Sequence, residues 1–379
     1  MQTSPELQLA QQLMQLRSTP ESQGEHAVAE VVADRLEAAG LETSLQSYGD
    51  NQTNVIARWG DADRPAICLS GHLDTVTVVE EDWKFDPFAA DVVGSRLYGR
   101  GAVDMKTGVA AIVLAVERYV ASSPPTAAPI VVAFTAEEEV GSLGAAAIAG
   151  EPGLLPESKF LLIAEPTSNQ PVLGHRGALW MDLVARGRSC HGSTPHLGEN
   201  AIERLVDGLR LVRDWCETNP TEHETLGART LNIGRINGGA LRNIVPDRAV
   251  AELDFRSPSA EEQSSLADTL AALLDEHVSV EQILSLPPVY TEPTDPMMEL
   301  MREVAGRHLE LKDPPGVARF FTDASVLTPA LGSVPTVICG PGSPDQAHVV
   351  DEWCEVDEVA QAAAVYLDLL QAAAEAESS

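Results

Sequence analysis

The chain has 379 residues, with 57 Asp or Glu against 25 Lys or Arg, a formal charge of −32 at neutral pH. A field of that sign repels phosphate backbones and anionic headgroups, so neither nucleic acid nor a membrane surface is expected as a partner. Its 44 % apolar and 22 % charged residues are a globular composition, and the length exceeds what a single hydrophobic core usually serves, so two domains are expected.

In chain order, residues 5–17 and 24–39 carry helical periodicity, the second run stopped by Gly40. The stretch 1–16 reads as an amphipathic helix with glutamines and a Glu rather than a basic segment followed by an apolar one, so no secretory signal is expected and a cytoplasmic location is. Strands are predicted at 54–59 and 66–70, a helix at 106–120, a Pro/Ser connection at 122–129, and strands at 130–135 and 160–164. Strands alternating with helices argue for an α/β layered domain with a parallel or mixed sheet.

After about His175 the rhythm changes. Strands at 179–185, 230–234, 249–255 and 280–286 alternate with helices at 199–216 and 260–277, giving a β-α-β-β-α-β order and a small α+β sandwich. Past Pro287-Pro288 come a helix at 295–308, a strand at 334–339, a Gly/Pro loop at 340–344, a long helix from about Val356, and a tail at 375–379 expected to fray. The prediction is one α/β catalytic domain with a mixed, mostly parallel sheet flanked by helices (1–176 and 289–379), interrupted by an inserted α+β lid (177–288).

The acids and histidines of interest fall where strands end, the usual ligand-bearing edge of α/β proteins. His72 and Asp74, two apart on extended chain, point the same way, so Asp74 can brace His72 while the other ring nitrogen binds a metal. Asp104 follows Gly99-Arg100-Gly101 at the mouth of a helix, where on this segment alone a helix N-cap is favoured over a ligand. Glu137-Glu138-Glu139 follow an apolar strand and repel one another unless cations neutralise them, although an exposed acidic cluster is the bland alternative. Glu165-Pro166 and His348 complete the set. Two histidines with several carboxylates and no thiolate suit a pair of borderline divalent ions better than an all-oxygen calcium site. The five cysteines are odd in number and without a C-x-x-C pair, so no disulfide framework is expected.

The segments Gly71-His72-Leu73-Asp74-Thr75-Val76, Gly99 to Lys106, Glu137 to Gly144, Ala164-Glu165-Pro166-Thr167 and Ala347-His348 resemble, in order and spacing, the dinuclear zinc amidohydrolases that include acetylornithine deacetylase, succinyl-diaminopimelate desuccinylase and aminoacylase. The resemblance implies His72 and Glu165 as ligands of one zinc, Glu139 and His348 as ligands of the other, and Asp104 as the bridge. It makes Asp74 the partner of His72 and, registering on Gly141-Ser142, Glu138 the general base; a register one residue earlier is the alternative. Co²⁺ or Mn²⁺ would substitute for the two Zn²⁺. Glu137 stands where the family usually has Asp. The lid would supply His191 as oxyanion donor, often across a dimer interface, with Asn243 polarising substrate and Arg256 gripping a carboxylate; Arg256 reads equally as a surface ion pair. Implied too are a homodimer and a small N-acyl amino acid as substrate, with a dipeptide as the alternative. His26, His175 and His196 have no motif support and read as structural.

Overall fold

Three apolar segments, Ala66–His72, Ile130–Thr135 and Ser158–Ile163, lie side by side as parallel strands, as near-continuous hydrophobic runs do when both faces of a sheet are covered. The computed structural model describes residues 4–22, 24–123 and 127–378, so predictions for residues 1–3, 124–126 and 379 lie outside the described residues. The chain divides into two units, the first comprising Met1–Gly174, Tyr290–Ala318 and Thr322–Ser379.

In the first unit, a six-stranded mixed sheet runs in the order Glu42–Ser47, Thr53–Trp59, Ile130–Thr135, Ala66–His72, Ser158–Ile163, Thr336–Ile338. The two joins at the Glu42–Ser47 end are antiparallel and the other three are parallel. The helices Pro5–Met14, Glu25–Ala38, Lys106–Ser122 and Val356–Ser378 contribute to a core of Ala, Val, Leu and Ile. The last helix continues to Ser378. Register aligns His72 with Thr135, and Ser70 with Ile163, so three strands end at one edge and release the segments 72–75, 136–139 and 164–167 side by side. A smaller sheet of Asp91–Val93, Arg96–Tyr98 and Trp353–Glu355 pairs Tyr98 with Trp353 and brings the segment after residue 98 beside the one before residue 353.

The second unit comprises His175–Val289 with Arg319–Phe321. Its four-stranded antiparallel sheet has the order Thr230–Gly238, Arg248–Ser257, Gly177–Arg186, Val278–Leu286. The helices Ala201–Thr218 and Ala260–Leu273 share an apolar core with it. Arg319–Phe321 departs from the predicted division: the Phe321 ring packs edge-on against Trp180, 6.3 Å between centroids, and Arg256 lies over it.

Candidate metal centre

His72 closes its strand with a side chain that is essentially inaccessible. Its Nδ1 lies 3.0 Å from the carbonyl oxygen of Asp74, an acceptor only, so Nδ1 carries a proton and Nε2 is the nitrogen directed inward. Nε2 lies 2.9 Å from Asp104 Oδ1 and 3.7 Å from Glu165 Oε1. The Asp74 carboxylate, predicted as the brace for His72, is farther from it at 3.4 Å and chiefly accepts the backbone N–H groups of Glu138 and Glu139, each at 3.1 Å. The Glu138 donor is buried and the Glu139 donor partly so after the strand ends, and a carboxylate is the acceptor that best satisfies them.

Asp104 presents one oxygen to each histidine: Oδ1 to His72, and Oδ2 to His348 Nε2 at 3.1 Å. His348 also meets Glu139 Oε1 at 3.0 Å, and its side chain is half exposed, which leaves this flank open to solvent. Donor atoms of His72, Glu138 and Glu165 lie within 4.8 Å of one another, as do those of His72, Asp104 and Glu139. Glu137 stands apart: its backbone has φ +53° and its carboxylate accepts from the Tyr48 hydroxyl at 3.3 Å. The structure thus gathers His72, Asp104, Glu138, Glu139, Glu165 and His348, and turns Glu137 away.

The electrostatics follow from that crowding. Burial, then the neighbouring Glu165 and Asp323 charges, raise the Glu138 pKa well above the carboxylate range. Burial and Asp104 raise Glu165 and Glu139 as well. Burial opposes a charged His72, but hydrogen bonds to Asp104 and Asp74 outweigh it and lift its pKa well above normal. His348 is raised to about 10 by Asp104 and Glu139. For Asp104 burial is outweighed by the two histidines, and the pKa falls. Among the described residues no Lys or Arg pairs with these carboxylates; Lys106 donates instead to the carbonyls of Leu13 and Leu16. Crowded carboxylates whose basic partners among the described residues are two imidazoles, with no thiolate, are the donor set of a divalent metal site.

Asp323 and Glu25 are among the buried acids that escaped the sequence reading. Asp323 is buried, accepts from the Thr135 hydroxyl, and is raised to about 6 by burial. Glu25 is also buried, and burial followed by the charges of Asp74 and Glu137 raises it to about 8, although it accepts the Glu137 N–H. Each is a single acid with no motif spacing; Glu25, opening a helix, looked like an ordinary first-turn acid.

In the second unit, His191 and Asn243 are brought together: Gly192 N–H donates to the Asn243 carbonyl at 2.7 Å, and His191 bridges Ile244. His191 Nδ1 lies 2.7 Å from the Ser193 hydroxyl. Both sit where Asp247 leads into the strand Arg248–Ser257. Arg256 lies near the opposite end of that strand, about 26 Å from Arg248 at roughly 3.3 Å per residue, and is held by Asp254 through Nε at 2.9 Å. The ion pair considered for Arg256 exists, and the structure does not join Arg256 to His191 and Asn243.

The comparisons with known proteins agree with this architecture. A succinyl-diaminopimelate desuccinylase of a Psychrobacter species is 29 % identical over 397 residues, covering 96 % of this chain and 94 % of that protein. The fold matches an M20 family metallo-carboxypeptidase from Sulfolobus solfataricus with a TM-score of 0.81 at 19 % identity, over 97 % of this chain and 99 % of the other. It also matches a dinuclear metal binding peptidase of the M20 family from Bacillus subtilis, TM-score 0.72 at 15 % identity, over 98 % and 97 % of the two chains. No helix among the described residues is long and apolar enough to cross a membrane. The family model for peptidase family M20/M25/M40 matches residues 68–372, and the chain belongs to that family and is a metal-dependent amidohydrolase.

Proposed function

We propose that this enzyme hydrolyses the amide bond of an N-acyl amino acid, as a succinyl-diaminopimelate desuccinylase-like deacylase of the cytoplasm working with two zinc ions. The observation that carries the two-metal reading is the Asp104 carboxylate, with one oxygen on His72 and the other on His348. His72 and Glu165 would hold one ion, Glu139 and His348 the other, and Asp104 both. Bound there, the pair would polarise the scissile carbonyl and make a water acidic enough to ionise near neutral pH.

Glu138 is the proton carrier in this reading. Its buried carboxylate, raised in pKa, accepts the proton of the attacking water and delivers it to the amine as the C–N bond breaks, so the new C–O bond and the lost proton balance. Asp74 holds the Glu138 and Glu139 backbone in place for this step. The unit containing 177–288 is read as the lid. Its His191 would donate to the developing oxyanion, Asn243 would orient the substrate, and the terminal nitrogens of Arg256 would grip a carboxylate while Asp254 keeps Nε. Since Arg256 lies far from the other two along one sheet, a substrate touching all three draws them from two subunits, which favours a homodimer.

The length-wide similarity to a protein named as a desuccinylase supports an N-acyl substrate. A panel of N-succinyl, N-acetyl and dipeptide substrates with the zinc-loaded enzyme tests it. Highest kcat/KM on an N-acyl amino acid is expected; preferential dipeptide turnover would overturn the reading.

A further inference from the structure

Glu352 has no accessible surface, lies four residues after His348, and belongs to none of the roles assigned above. Its Oε2 accepts from Arg100 Nη1, while Oε1 accepts two successive backbone N–H groups, Val103 at 2.7 Å and Asp104 at 3.2 Å. The backbone carbonyl of Glu352 accepts the Gly99 N–H at 3.0 Å, and Trp353 pairs with Tyr98 in the small sheet. One residue is therefore fastened to both ends of the Gly99–Asp104 turn.

That turn needs outside support. Gly99 and Gly101 both adopt positive φ, +143° and +83°, and the turn's own bonds run from Ala102 N–H to the Gly99 carbonyl and from Lys106 N–H to Gly101. The N–H groups of residues 103 and 104 find their acceptor in Glu352 instead. We infer that Glu352 is a positioning residue for Asp104: it fixes the backbone from which the bridging carboxylate projects, and ties it to the segment that carries His348. Stability alone does not explain the arrangement, because a buried ion pair gives little net stabilisation over apolar residues of the same volume. What an apolar pair cannot reproduce is an acceptor for the Asp104 N–H.

The inference rests on the reading of Asp104 as a shared metal ligand, and the test separates the two. Full-length wild type, Arg100→Met/Glu352→Gln and Arg100→Met/Glu352→Leu are compared for apo-protein Tm and for Co²⁺ affinity by chelator competition. Both double variants remove the buried charges, but only Gln keeps an acceptor for residues 103 and 104. The Gln variant should bind two ions within about threefold of wild type, and the Leu variant about 10- to 100-fold more weakly. Equal affinities in the two double variants would overturn the positioning role. Glu352→Asp keeps the charge but shortens the reach; it should lose affinity about tenfold, and wild-type affinity there would overturn the role even if the Leu variant fails to fold. A wild type that binds fewer than two ions overturns the dinuclear reading, and the inference with it.

Discussion

His72, Asp104, Glu139, Glu165 and His348 were picked out in the sequence by five ordered segments that resemble the dinuclear zinc amidohydrolases, and the structure brings these side chains together. Asp74 shows the limit of such reasoning. A two-residue spacing places its side chain near His72, but only the fold reveals that two backbone N–H groups compete for the same carboxylate. Asp323 and Glu352 were invisible for a related reason: their partners lie 188 and 252 residues away in the chain. His175, read as structural, carries a separate prediction. Burial lowers its pKa from 6.5 to about 4. The unfolded chain therefore takes up a proton below pH 6.5 that the folded protein refuses until about pH 4, so the contribution is present above 6.5 and lost as pH falls through that window. The loss is about 3 kcal/mol. Denaturant unfolding from pH 7 to 4 should show a shallower decline for His175→Gln than for wild type; parallel curves would contradict it.

At the level of elements, the buried parallel strands were readable because their apolar runs are continuous, and Ile130–Thr135 has the predicted bounds. Glu42–Ser47 was missed: it is a polar, largely exposed edge strand paired only with Thr53–Trp59, so burial imposes no alternation on it. Helix Leu143–Gly150 was missed because its small residues carry no amphipathic period. Helix Ala324–Ala330 is short and contains Pro329. Strand Thr230–Gly238 matters most for the proposed assembly. It is a sheet edge, with Ile236 55 % exposed and Leu241 just beyond it 64 % exposed. An unpaired edge that carries exposed apolar side chains invites pairing with a second copy. Ile236→Lys should convert a dimer to a monomer in sedimentation and lower kcat/KM by at least about tenfold, as one subunit loses the other's His191 and Asn243. An active monomer would separate catalysis from assembly.

Across the whole molecule, the net charge of −32 is concentrated only partly at the centre. Two divalent cations would offset four units of it, leaving a surface that repels itself. Raising NaCl from 0.1 to 1 M shortens the Debye length from about 10 to about 3 Å, so Tm should hold or rise and turnover persist. A fall in Tm over that range would show that the surface acidity does not destabilise the folded state. The central claim is that Glu138 moves the proton at a two-metal centre held by its neighbours, and it is tested most directly by kcat of Glu138→Gln against wild type at equal, measured zinc content. Retention of two ions per chain with kcat down by at least about 100-fold is the predicted result; wild-type turnover at that metal content would contradict it.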